Sequence, residues 1–118
     1  MINPKLLEPT LLWTNEYSNQ AFEPQLISIP TISNYKYIII GYMGEKGTNQ
    51  ITRYLKVKYQ NGGFCMVSDI PQDSSIILYA SRVFEIKNTG LDVRAAYVNQ
   101  NVNNVYLIPA VIYGTNIL

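Results

Sequence analysis

The residues best equipped for chemistry in this chain are aromatic rings and side-chain amides, and their chemistry is recognition rather than bond-making. Ten tyrosines and one tryptophan offer flat faces for stacking, and abundant Asn and Gln offer paired donors and acceptors for hydroxyls. Trp13, Tyr17, Tyr42, Tyr54 and Tyr113, with Asn101 and Asn103, are therefore the candidate interface or glycan-contact residues. For Trp13, which closes Leu11-Leu12-Trp13, a place in the core or an interface outweighs ligand stacking.

The means of catalysis are thin. No histidine is present, so no Ser–His or Cys–His pair forms and the commonest general base near neutral pH is missing. Cys65 lies between Phe64 and Met66 and reads as a buried, inert thiol. No two acids form a glycosidase motif. Asp69 and Asp73 have oxygen ligands nearby but no calcium-loop spacing. Gly41 to Gly47 is rich in glycine but lacks the phosphate-binding pattern. The expectation is a protein that is not an enzyme, with no cofactor, no metal and no catalytic residue.

Composition narrows the partners. The 118 residues suit one domain, 1–118, large enough for a hydrophobic core. Hydrophobic residues make up 47% and charged residues only 14%, so the polar surface must come from amides and hydroxyls. Net charge is +1, which argues against nucleic acid as a partner; Tyr54, Lys56 and Lys58 read as a solvated strand face. The lone cysteine excludes an intrachain disulfide. No basic segment leads into an apolar run after Met1, and apolar runs are too short for a bilayer, so neither a signal peptide nor membrane association is expected.

The elements that must carry these residues are strands. Ile, Val, Thr and Tyr dominate, and prolines at 4, 9, 24, 30, 71 and 109 interrupt any long helix. Strand patterns fall near 6–14, 25–29, 35–43, 51–59, 63–68, 82–87, 91–98 and 105–113. The fold expected is all-β: a single-domain antiparallel β-sandwich or jelly roll of about eight strands. Leu55, Val57 and Tyr59 alternate with Lys56 and Lys58, and Gln60-Asn61-Gly62-Gly63 predicts a hairpin into Phe64–Val67. A second hairpin turns at Asn88-Thr89-Gly90, with Phe84, Ile86, Leu91, Val93 and Ala95 inward. Across it Glu85, Lys87, Asp92 and Arg94 are placed to pair. Ile38 to Ile40 suggests a central strand covered on both faces, and Pro109 an edge or a bulge. Asp69 to Leu78 is ambiguous between a helical turn and a strand, and the asparagine-rich Asn99 to Asn104 reads as a long loop.

Both ends and the central strand carry a recognisable frame. It runs Leu12-Trp13-Thr14-Asn15, Gln20-Ala21-Phe22-Glu23-Pro24-Gln25 and Asn34-Tyr35-Lys36-Tyr37-Ile38-Ile39-Ile40, and closes on Ile108-Pro109 and Ile112-Tyr113-Gly114. This frame resembles small virion proteins of tailed bacteriophages. The resemblance implies a tail-fibre, baseplate or head-appendage β-sandwich in the virion, non-enzymatic, with other virion proteins as partners. It also implies a homo-oligomer, with a trimer favoured. The alternative is a module binding a host-surface glycan, since appendages often end in receptor-binding domains. Residues 45–104 carry no matching motif, and Thr115 to Leu118 extend past the frame.

Overall fold

The structure is a computed structural model, and it describes residues 9–16, 20–45, 51, 53–69 and 79–117. Nine strands run through the described residues: β1 (Thr10–Thr14), β2 (Gln25–Ser28), β3 (Tyr37–Glu45), β4 (Arg53–Lys58), β5 (Phe64–Asp69), β6 (Ala80–Lys87), β7 (Gly90–Val98), β8 (Asn101–Val102) and β9 (Tyr106–Thr115). They form two antiparallel sheets. Sheet I has the order β1-β9-β3-β4, and sheet II the order β2-β7-β6-β5 with β8 on β7. The fold is an all-β sandwich.

Alternation explains how the layers close. Along β6, Ala80, Arg82, Phe84 and Ile86 are buried while the residues between them are half-exposed. From sheet I, Ile38, Ile40, Ile108 and Ile112 meet Phe84, Ile86, Leu91 and Val93 of sheet II in one core. Burying each such side chain contributes about 1.5–3 kcal/mol. A 3-10 turn at Ile32–Asn34 places Ile32 in the core. At Gly90 (φ +155°) an added Cβ would fall 1.9 Å from the Ile27 carbonyl oxygen, so only glycine lets β2 lie this close to β7.

All eight expected strand segments form, with shifts at their ends. Two expectations about connection are overturned. Residues 60–63 do not close a hairpin: β4 pairs with β3 and β5 pairs with β6, so the segment crosses from one sheet to the other. Gly62 N–H donates to the Ile86 carbonyl at 2.7 Å and the Gly63 carbonyl accepts from Ile86 N–H at 2.7 Å, which docks the turn on sheet II. Residues 99–104 are not one loop either. Asn99 and Gln100 both take positive φ, 48° and 74°, and make a tight turn into the short strand β8. Asparagine accepts that backbone more readily than most residues.

Three bulges account for the remaining differences. An extra residue in β7 between Ala96, opposite Arg82, and Val93, opposite Phe84, flips the parity of the strand. Ala96 is therefore the buried residue, and Ala95, expected inward, is half-exposed. Pro109 sits at a bulge in β9, opposite Tyr42, within an inner strand of sheet I and not at an edge. The third bulge lies in β1 between Leu11 and Trp13. Ile39, expected to be covered, lies half-exposed on the outer face of sheet I. The ambiguous stretch after Asp69 falls outside the described residues.

Candidate functional site

Two clefts and one strand edge gather the side chains able to contact a partner. The first cleft lies on the outer face of sheet I. Ile38 and Ile40 point into the core, so Ile39 points out, flanked in register by Lys56 of β4 and Tyr113 of β9. With Pro9 and Tyr54 they line a space of about 540 Å³. Gly41 shapes it: a Cβ there would lie 2.9 Å from Tyr54 Cε1 and 2.7 Å from Val111 Cγ2, so the Tyr54 ring lies across the glycine. Lys56 at the rim donates to the Ile117 carbonyl at 2.7 Å and stands 5.2 Å from the Tyr37 ring. Asn116 Oδ1 accepts from Lys36 N–H at 2.9 Å, so the residues beyond β9 return along β3 and β4. This cleft can hold an apolar or planar group, and none of the described residues lining it is an acid.

The second cleft opens where β1 meets the segment before β2. The bulge in β1 turns Trp13 to the inner side, opposite the buried Ile112, and its ring meets Phe22 edge-on at 6.0 Å and 83°. Asn15 closes this corner, donating from Nδ2 to the Pro109 carbonyl at 2.9 Å and from its backbone to the Ala110 carbonyl at 2.8 Å. Trp13, Asn15, Glu16, Gln20, Phe22 and Gln25 are among the residues lining about 430 Å³. Glu16 is the one acid in that lining among the described residues.

Beneath Phe22 lies a cation that the sequence reading passed over. Arg82 is fully buried on the inner face of β6. Its Nη1 donates to the Phe22 carbonyl at 2.9 Å, and its Nη2 reaches the carbonyl and Oδ1 of Asn104, both at 3.3 Å. Asn104 in turn donates to Glu23 at 3.0 Å and accepts from Ala96 N–H at 2.9 Å. Burial pushes the Arg82 guanidinium down to about 10, a shift that the charge of Glu23 partly opposes. The group is a structural clamp that fixes residues 22–23 against sheet II. Its signal was legible: the period of two places Arg82 on the same face as Phe84 and Ile86.

Sheet II supplies the third feature. On β5 the exposed Phe64 (67%) and Met66 (53%) stand on the outer face, and Val67 is buried on the inner one. Arg94 packs 6.0 Å from the Phe64 ring and pairs with Glu85, while Asp92 lies 3.4 Å from Arg94 and 4.0 Å from Lys87. The cross-strand ion pairs expected for the β6–β7 hairpin are thus present.

The structure sorts the expected contact residues. Tyr54 and Tyr113 come together in one cleft, and Trp13 sits apart in the other. Tyr42 is corrected: at 5% exposure it belongs to the core, because its neighbour Gly41 takes the outward place on β3. Asn101 and Asn103 are exposed, yet they serve their own turns, through Asn101 Nδ2 to the Asn99 carbonyl and Asn103 Oδ1 from Val105 N–H, each at 3.4 Å. Tyr17 lies outside the described residues. Burial pushes the Cys65 thiol up to about 11, which leaves little thiolate at neutral pH. Comparison with known proteins found no matching family model, no matching curated protein and no matching solved structure.

Proposed function

We propose that this chain is a non-enzymatic structural protein of a tailed-phage particle. It is a β-sandwich that assembles with copies of itself and with other virion proteins. The observation that carries the reading is the outer face of sheet II, where the exposed Phe64 and Tyr97 line one cleft with Val83 and Ala95, and Met66 is exposed on the same strand as Phe64. Large apolar side chains left exposed on one face of this kind mark contact surfaces. The resemblance of both chain ends to virion proteins supports placement in the particle. The contact of Asn15 with Pro109 supports treating those ends as one structural unit.

Sedimentation velocity across a range of concentrations tests the assembly. A weight-average mass that rises with concentration is the expected result. A strictly monomeric chain that also fails to bind isolated virion components would contradict the reading.

A second reading has its own observation. The Trp13 cleft offers an indole beside Gln20, Gln25 and Glu16, a combination suited to a sugar ring and its hydroxyls. Binding to a glycan array that Trp13→Ala abolishes would support a receptor-binding role at this cleft.

A further inference from the structure

We propose that β5 is a self-pairing edge. A second copy of this chain lays its own β5 antiparallel along the free side, joining two copies of sheet II into one continuous sheet. This rests on the assembly reading and specifies its contact.

The backbone points the right way. Ile86 exchanges hydrogen bonds with Gly62 and Gly63. Alternation in an antiparallel ladder then turns Cys65 and Val67 toward β6, and the N–H and C=O groups of Phe64, Met66 and Ser68 outward. Among the described residues no strand pairs with that side.

The other edges are protected by the usual devices. The outward backbone positions of β4 carry Lys56 and Lys58, β2 has four residues between Pro24 and Pro30, β1 is bulged, and β8 has only two residues. From Phe64 to Ser68, β5 has no charge, no proline and no break in its register with β6.

The occupant follows from the sequence of the edge. With a two-fold axis at Cys65, Phe64 faces Met66 of the second copy, and Met66 faces its Phe64, so each ring meets a thioether. No charge within Phe64–Ser68 is set against a like charge across the seam. Cys65 meets Cys65 at a non-hydrogen-bonded position, with Cα atoms about 4.5 Å apart, within disulfide range. Such a contact is isologous, so it builds dimers or even-numbered assemblies in place of the trimer that the resemblance implies.

Met66→Pro removes an outward N–H and no bond to β6, and Met66→Lys sets a charge on the seam. Sedimentation velocity on the full chain is expected to show wild type as a dimer and both variants as monomers at the same concentration, with melting temperatures near wild type. Should Met66→Pro lose its fold, Met66→Lys decides. Variants that associate like wild type overturn β5 pairing and leave the assembly reading standing, whereas a wild type monomeric at every concentration removes that reading as well. Copper-phenanthroline oxidation of the associated wild type at pH 10 is expected to give a covalent dimer through Cys65, and its absence overturns the register.

Discussion

β4 and β5 follow one another in the chain, span six residues each, and each lies at the edge of its own sheet. They differ in what they show to solvent. The outward backbone positions of β4 carry Lys56 and Lys58, with the Lys56 ammonium turned back to the Ile117 carbonyl, whereas those of β5 carry Phe64 and Met66 and pair with no strand among the described residues. Like charges keep a second strand away from β4, while nothing along Phe64–Ser68 does so for β5. Two strands of equal length and similar alternation are thus given opposite roles by the residues on one face. The five residues between them, Tyr59 to Gly63, make the contrast possible by carrying the chain from one sheet to the other.

The comparison breaks most forcefully from inside. Arg82→Ala leaves the Phe22 and Asn104 carbonyls without their donor and opens a void under Phe22. Denaturant unfolding is expected to show a loss of about 3 kcal/mol. At temperatures where the variant remains folded its self-association should persist, because the clamp and the edge are separate. Phe64→Ser comes next: it removes one ring per copy from the seam, and self-association should weaken by roughly tenfold, as a loss of about 1–2 kcal/mol implies, with little change in melting temperature.

The reverse experiment acts on β4. Replacing Lys56 and Lys58 together by Met and Thr strips the guard from that edge. New concentration-dependent association should appear, read as larger species by sedimentation, and it should persist when Met66→Lys is added. The smallest effect concerns pH. The folded Cys65 thiol titrates near 11, above its value of about 9 in the unfolded chain, so its protonated form adds stability below pH 9 that is lost as pH rises through 11. A thiol reagent should accordingly react slowly at pH 8 in the native protein, at a rate that climbs toward pH 11, and at the ordinary rate in denaturant.

Much of the fold was legible because alternation is a local signal. Every expected strand segment formed, and the β6–β7 hairpin appeared with its pairs among Glu85, Lys87, Asp92 and Arg94. What could not be read depends on the tertiary setting. Glycines at 62 and 63 permit a hairpin and a crossover equally, and the choice is made by which sheet receives β5. Bulges change parity without altering composition, so the sequence pattern placed Ala95 inward when the structure buries Ala96. Tyr42 looked available because tyrosine is amphipathic, yet the neighbouring Gly41 sets the outward register of β3. Of the residues that line the two clefts, Tyr54, Tyr113 and Trp13 could be singled out from residue type. Phe64 and Met66 were read as strand residues flanking a buried cysteine and not as a contact surface, since an open edge is a property of topology.

The most direct test of this account is amide hydrogen exchange, measured residue by residue at low and high protein concentration. The outward amides of Phe64 and Met66 should exchange freely when the protein is dilute and become protected as concentration rises. Those of Tyr54, Lys56 and Lys58 on β4 should remain unprotected throughout. Protection that rises on β4 instead, or β5 amides that stay unprotected while the protein associates, would contradict the claim that β5 is the edge built to pair.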